Sequence, residues 1–526
     1  MKCFLTKIFF VTIFLNCLLW IFIVPIWHFP DEQAHFGNVA FIALTNRSPN
    51  AETLDLTQEI YTSEQLLGTS RDQYGNNRFT FHPEYRIDYT NSLNGKYESS
   101  ISALANTSSG NTFIYKESTR YQEWYYRIGS YLYRLFISHN LFERVFVVRV
   151  WSFVIFMGTI TVVYLLAKKI YPENLLLVIA LSALVGFQPM MVFANVGVNS
   201  DAIGNFFFTL FLYISYSIML EGSTLRKMFF LLAVSIACVL VKPQFIVILP
   251  SLIVMMFLLL FRDSRYSYKK KLLIGIGLVS ISGFAFYLMY RFRLGTISLI
   301  DWLIQDFNLT SFLKYNIEYT LSHTVREVMP WFWGIFDWLG VTYPRFVHRV
   351  INRFVLVSII GCFILVIRSI WRRKWFDRRY QAFGFLIFIC LLFSFGISLY
   401  DWLSWYKTGF QLGIQGRYYF PIISVIMSLI LFGWQAVFPT KFGIKALAIK
   451  VLILAIILLN CFALYTVSKI YYDVSSLQVF IIQASQYKPW YVKGVGLELL
   501  LIIYIILLVV FICELFRKIK RNIVHS

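Results

Sequence analysis

Mostly apolar runs of about 20 residues recur along this chain, the length at which a helix crosses the hydrocarbon of a bilayer. The first, Ile8 to Ile26, follows Lys2 and Lys7 and is continued by Trp27-His28-Phe29-Pro30, with no small-residue cleavage site. It reads as a retained anchor. Further runs lie near 146–167, 174–192, 202–219, 228–241, 244–261, 272–290, 353–367, 381–399, 418–437, 449–466 and 495–516. These predict an all-α integral membrane protein with about 12 transmembrane helices. The run 228–241 is short and almost touches its neighbour, so that pair is the least regular of the set.

Charge fixes the sidedness. The net charge of +21 would suggest nucleic acid in a soluble protein, but charged residues are only 14% of the chain and apolar ones 58%, which excludes a soluble enzyme. With the N-terminus inside, every cytoplasmic segment is basic: Lys168 and Lys169, Arg226 and Lys227, Arg262 to Lys271, Arg368 to Arg379, Lys441 to Lys450, and Arg517 to Arg521. Both termini are then cytoplasmic, in the plasma membrane, and no nucleic acid partner is expected. The seven cysteines include no CxxC and six lie in apolar runs, so neither a disulfide framework nor a thiolate metal site is expected.

The layout divides the chain into an anchor (1–26), a large extracytoplasmic loop (27–145), a helical bundle (146–290), a second extracytoplasmic segment (291–352) and a C-terminal bundle (353–526). The first loop is rich in Ser, Thr and Asn between about 45 and 112, and no helix pattern shows there. Two helical stretches flank that region. One follows Asp31, a good N-cap residue after Pro30. The other, Tyr121 to Phe136, is aromatic and suited to the headgroup level.

Polar residues close to span ends carry the functional signal, because each is costly near the membrane interior. Five clusters all fall on the outer face. In Pro30-Asp31-Glu32-Gln33-Ala34-His35-Phe36, Asp31 and His35 are one helical turn apart, which suits a general base with a neighbour; capping by Asp31 and a dipole role for Glu32 explain the same residues. Gln188 to Asp201, with Asn199 and Asp201, forms a turn or a binding edge. Lys242 in Lys242-Pro243-Gln244 runs against the positive-inside rule and suits an anionic headgroup, or else snorkels. Trp331 to Trp338, including Trp333 and Asp337, is an aromatic belt or the lining of a sugar or isoprenoid cleft. Gln415-Gly416-Arg417 offers a guanidinium fork suited to phosphate. Asp31, Glu32 and His35 could together hold a divalent metal, but no ligand spacing requires one.

The ordered segments PDEQAHF (30–36), QPMMVFANVGVNSDA (188–202), KPQF (242–245), FWGIFDW (332–338) and QGRYYFP (415–421) resemble the bacterial membrane family of domain of unknown function 2142. That family is similar in turn to GT-C glycosyltransferases, which take sugars from polyprenyl-phosphate donors on the outer face. The resemblance implies a GT-C-like bundle whose large first loop carries amphipathic helices. It implies Asp31 as the catalytic carboxylate, acting as general base, with Glu32 as second choice, and Arg417 and Lys242 on the donor phosphate. His35, Asn199, Asp201, Trp333, Asp337 and Gln415 complete the expected substrate site. The sequence departs from relatives in lacking proline around Glu123-Trp124-Tyr125-Tyr126 and in carrying Asp337 where a small residue is expected.

The leading expectation is an inverting glycosyltransferase acting on a cell-envelope glycan or lipid acceptor, with membrane lipid as its surroundings and no certain cofactor. Three alternatives stand beside it: an envelope polysaccharide polymerase or ligase, a transporter or flippase without transferase chemistry, and a non-enzymatic envelope scaffold. Ionisable groups gathered at span ends, with no paired halves, weigh against the transporter.

Overall fold

The structure is a computed structural model describing residues 2–517, apart from 51, 73–76, 81, 92–94, 105–109, 118–122, 373–376, 440–442, scattered positions between 263 and 287, and 288–306. Among the described residues, eight helices are long and apolar enough to cross a membrane. They include α1 (Lys2–Ile23), α6 (Leu141–Ile170) and α9 (Asp201–Glu221). A ninth is obtained if the bent pair α7 (Leu175–Gly186) and α8 (Pro189–Val196) counts as one span. The expected count of about 12 is therefore not reproduced. The runs at 228–241 and 244–261 become α10 (Leu225–Val241) and, after a 3-10 turn at Pro243–Val247, α11 (Ile248–Arg262), both short. About half of the run at 272–290 lies outside the described residues. C-terminal to these, α12 (Arg345–Trp371), α13 (Arg378–Thr408), α14 (Ile423–Val437), α15 (Ile444–Tyr471) and α16 (Val495–Arg517) complete the bundle.

Small residues set the closest helix crossing. A Cβ on Gly361 of α12 would lie 1.9 Å from the Gly433 carbonyl oxygen of α14, and one on Gly433 would lie 2.0 Å from the Ser358 carbonyl oxygen. The two backbones touch because neither side chain exists, a packing that substitutes for a hydrophobic driving force in lipid. The 58° bend between α7 and α8 has a local cause. Pro189 opens the second helix, and the Gln188 side chain accepts from the Met191 amide as its cap while donating to the Phe332 carbonyl.

A layer of short elements covers one end of the bundle. It contains α2 (Glu32–Thr45), α3 (Gln58–Leu67), α4 (Tyr97–Leu104) and α5 (Trp124–Leu135), with Leu56–Thr57 pairing antiparallel to Phe113–Tyr115. Helices α3 and α4 fall where the sequence shows no helix pattern. The reason is visible in α3, whose buried face includes Ser63 and Glu64 as well as Ile60 and Leu67, so hydrophobic periodicity is diluted. Its cap is conventional: the Thr57 hydroxyl accepts from the Ile60 amide, and Gly68 closes the end at φ 67°. Helix α5 is two-sided, with Tyr125, Tyr126 and Tyr133 buried and Trp124, Tyr131 and Leu135 exposed.

Buried ion pairs fasten this layer down. Arg144 of α6 holds Glu59 of α3 at 2.6 Å. Arg149, five residues further along, donates to both oxygens of Glu32 and to the carbonyls of Ile21, Val24 and Pro25. Lys488 donates to the Phe22 and Ile23 carbonyls, and the Tyr472 hydroxyl reaches Ile23 at 2.8 Å. The carbonyls left open at the end of α1 are thus met by three side chains distant in sequence.

Candidate functional site

Asp31 stands at the entrance to α2 in the left-handed region, φ 55°. Asp adopts this conformation more readily than most residues, still at a cost of about 1 kcal/mol. The side chain does not cap the helix, which removes capping as its explanation. Its carboxylate instead takes two arginines, Arg71 Nη2 at 3.1 Å on Oδ1 and Arg417 Nη2 at 2.8 Å on Oδ2. Burial pushes the Asp31 carboxyl up, but Arg417 and Arg71 outweigh it and hold it below the usual carboxylate value. Its side chain keeps 18% exposure.

Arg417 enters from the 3-10 turn Gly416–Ile422 ahead of α14. Its Nε is buried and makes no hydrogen bond, so one donor of the fork is unspent. The guanidinium lines a cleft with His28, Pro30, Trp338, Leu339 and Gln415. Part of that cleft wall is unusual backbone, since Asp337, Trp338 and Leu339 all have positive φ, 51°, 49° and 68°.

His35 lies on the buried face of α2, its Nδ1 2.7 Å from the Tyr126 hydroxyl. Burial drives its pKa down to about 4, against an opposing pull from Asp31 and Asp201. It is neutral at physiological pH and gives Asp31 no cationic partner. Asn199 bridges two clusters, donating to the Pro30 carbonyl and accepting from the Asp201 amide at 2.8 Å. Asp201 forms an ion pair with Lys242. Six expected residues, Asp31, His35, Asn199, Asp201, Lys242 and Arg417, converge at one end of the bundle with Gln415 beside them.

Three expected residues sit otherwise. Glu32, the second choice as catalytic carboxylate, is fully enclosed with Arg149, both side chains at 0% exposure, and no acceptor could reach it. Asp337 pairs with Arg86 at 3.5 Å, and burial pushes its carboxyl up despite that arginine. Trp333 lines a separate apolar cavity between α12 and α15. A metal held jointly by Asp31, Glu32 and His35 does not fit this arrangement. Among the described residues no group of three or more His, Cys, Asp or Glu side chains could hold one.

Sequence reasoning missed Arg71, Arg149 and Tyr126. Arg71 comes from the polar stretch of the first loop and left no local signal. Besides Asp31 it approaches Glu117 at 3.4 Å, and it lies over the Trp338 ring at 5.4 Å. Arg149 did leave one: a charge between Val148 and Val150 in a spanning run needs a partner.

The fold and cleft define a multispanning membrane protein with a charged polar site at one end of its helical bundle. The family model for a predicted membrane protein, DUF2142, matches residues 14–427, and the chain belongs to that family. No curated protein matches the sequence. Among solved structures, the apo form of the Archaeoglobus fulgidus oligosaccharyltransferase is 12% identical, with a TM-score of 0.47 over 88% of this chain and 56% of that one. The same enzyme in complex with an inhibitory peptide and a dolichol-phosphate is 13% identical, with a TM-score of 0.37 over 82% and 55%. The chain spans about half the length of that enzyme. TM-scores this low do not establish a common fold.

Proposed function

We propose that the protein is an inverting glycosyltransferase of the plasma membrane. It moves a sugar from a polyprenyl-phosphate donor to a cell-envelope glycan or lipid acceptor on the outer face. The observation that carries this reading is Asp31, a partly open carboxylate shared between two arginines, one of which keeps a free buried donor beside the cleft.

In the reaction the acceptor hydroxyl oxygen forms a bond to the anomeric carbon while the bond from that carbon to the phosphate oxygen breaks. The electron pair leaves with the phosphate, and Asp31 takes the acceptor proton. One carboxylate suffices, because inversion needs no covalent intermediate. Arg417 and Lys242 meet the charge that grows on the leaving phosphate. The phosphate draws Arg417 away from Asp31, and a carboxylate relieved of one cation is a stronger base. Base activation is thereby tied to the presence of donor.

The test is the sugar composition of the cell envelope in a deletion strain, complemented with wild type or with Asp31→Asn at matched protein level. One sugar is lost on deletion and restored by wild type alone. Equal restoration by Asp31→Asn overturns the reading.

A further inference from the structure

We infer that the groove between α12 and α15 is a second lipid site, which binds a single-chain lipid ending in a phosphate monoester or diphosphate. The inference goes beyond the transfer chemistry at Asp31 and does not depend on it. The groove has a volume of 250 Å³ and is apolar, lined by Trp333, Val350, Phe354, Ala455, Leu459 and Phe462 among others. On the same helix as several of these, α12, Arg345, Arg349 and Arg353 follow one another at i, i+4 and i+8, with Arg349 and Arg353 three residues from the groove-lining Phe346 and Val350 respectively. All three are exposed, and among the described residues none forms an ion pair.

Their depth is unusual. Only residues 354–367 separate Arg353 from Arg368, a stretch of about 21 Å at helical rise, whereas the hydrocarbon core is about 30 Å thick. The arginine stripe therefore descends to the upper edge of the hydrocarbon, on the helix that forms one wall of the groove. An anionic headgroup held there places its chain in the cavity.

Charge selects the headgroup. Three guanidinium groups exceed the single negative charge of a glycerophospholipid diester. A terminal phosphate carries about −1.5 to −2 at neutral pH and offers three acceptor oxygens to arginine forks. One groove between two helices suits one chain.

The site also adjoins the cleft. Trp333 lines the groove, while Ile335 and Trp338 of the same loop line the cleft at Arg417. The outer turn of α12 is tied to that loop through His348, which contacts the Thr342 hydroxyl at 3.1 Å, and Thr342 donates to the Gly334 carbonyl at 2.9 Å.

The experiment measures binding of radiolabelled farnesyl phosphate to the full chain in phosphatidylcholine nanodiscs. Three proteins are compared: wild type, the triple variant Arg345→Gln, Arg349→Gln, Arg353→Gln, and the double variant Lys242→Gln, Arg417→Gln, which lacks the cations of the cleft. Thermal unfolding confirms that each is folded. The groove site survives in the double variant and is weakened at least about tenfold in the triple variant, the scale expected on losing charge-assisted bonds to phosphate. Ala455→Trp, which fills the groove, has the same effect. Three results each overturn the inference: undiminished binding by the triple variant, farnesol competing as well as farnesyl phosphate, or phosphatidylglycerol displacing the probe at equal concentration. Because transfer is not measured, failure here leaves the Asp31 reading intact, and failure of that reading leaves this one intact.

Discussion

Asp31 and Glu32 are neighbours in the chain with opposite surroundings: the Asp31 side chain is 18% exposed between Arg71 and Arg417, while Glu32 is at 0% exposure against Arg149. The left-handed turn at Asp31 produces the divergence. One acid is left open for chemistry and the other locks α2 to α1 and α6.

The two residues should separate under mutation. Glu32→Ala leaves the Arg149 guanidinium buried without its carboxylate, and breaking a buried pair in this way costs about 3–5 kcal/mol. The variant is expected to accumulate poorly and unfold at lower temperature in detergent. Asp31→Asn, at a site that keeps 18% exposure, is expected to be destabilised clearly less than Glu32→Ala and to lose sugar transfer. Comparable destabilisation of the two variants would contradict this division.

Transfer should depend on pH through Asp31. A base must be deprotonated, and the two arginines hold this carboxyl below its ordinary value, so wild-type activity persists into acid. Arg71→Gln removes one cation without touching Arg417. The carboxyl then rises, and the acidic limb of the pH–rate profile moves to higher pH. An unmoved limb would mean that another group titrates in that profile.

The outer layer should show its own pH signature. Burial raises Glu117 to about 7 against the pull of Arg71, and burial raises Glu64 as well, with Glu117 adding to that rise. A carboxyl raised on folding favours the folded state when protonated, so its contribution is lost as pH climbs from about 4.5 to about 7. His35 works oppositely, because its value is depressed to about 4 and folding loses support below the ordinary histidine value. The informative quantity is therefore the difference in unfolding temperature between wild type and Glu117→Gln. The variant should gain on wild type as pH rises through that window. A constant difference would sink the assignment.

The α12–α14 crossing should tolerate no side chain. Gly433→Val forces the backbones apart, because its Cβ alone would lie 2.0 Å from the Ser358 carbonyl oxygen. Loss of folded protein in membranes is expected. The same change at Gly384, whose Cβ would meet nothing within 4 Å, should be neutral.

The sequence revealed the helical membrane class, and it marked the clusters at Asp31, Asp201, Lys242 and Arg417 that the fold gathers. Apolar run length and charge out of place are local signals that survive without a structure. The span number did not follow as cleanly, because runs such as 228–241 give helices too short to judge alone. Arg71 stayed hidden because its meaning comes from Asp31, 40 residues earlier, across a loop with no hydrophobic period. Glu32 misled for a related reason: an acid beside a membrane surface looks available until the turn before it is known. Arg149 was legible in principle, as a charge inside an apolar run, and names the partner Glu32 required.

The end of α1 also bears on how the chain is made. Its carbonyls are satisfied by Arg149, Tyr472 and Lys488, and Asn16 within it accepts from Tyr504. A nascent chain emerging in order has inserted α1 long before those later residues are synthesised. Until then α1 has a membrane position but no finished neighbourhood, and the acidic turn that follows it has no fixed frame. Assembly of the Asp31 cleft is therefore a late event, coupled to arrival of the distal helices rather than to insertion of the anchor that precedes it.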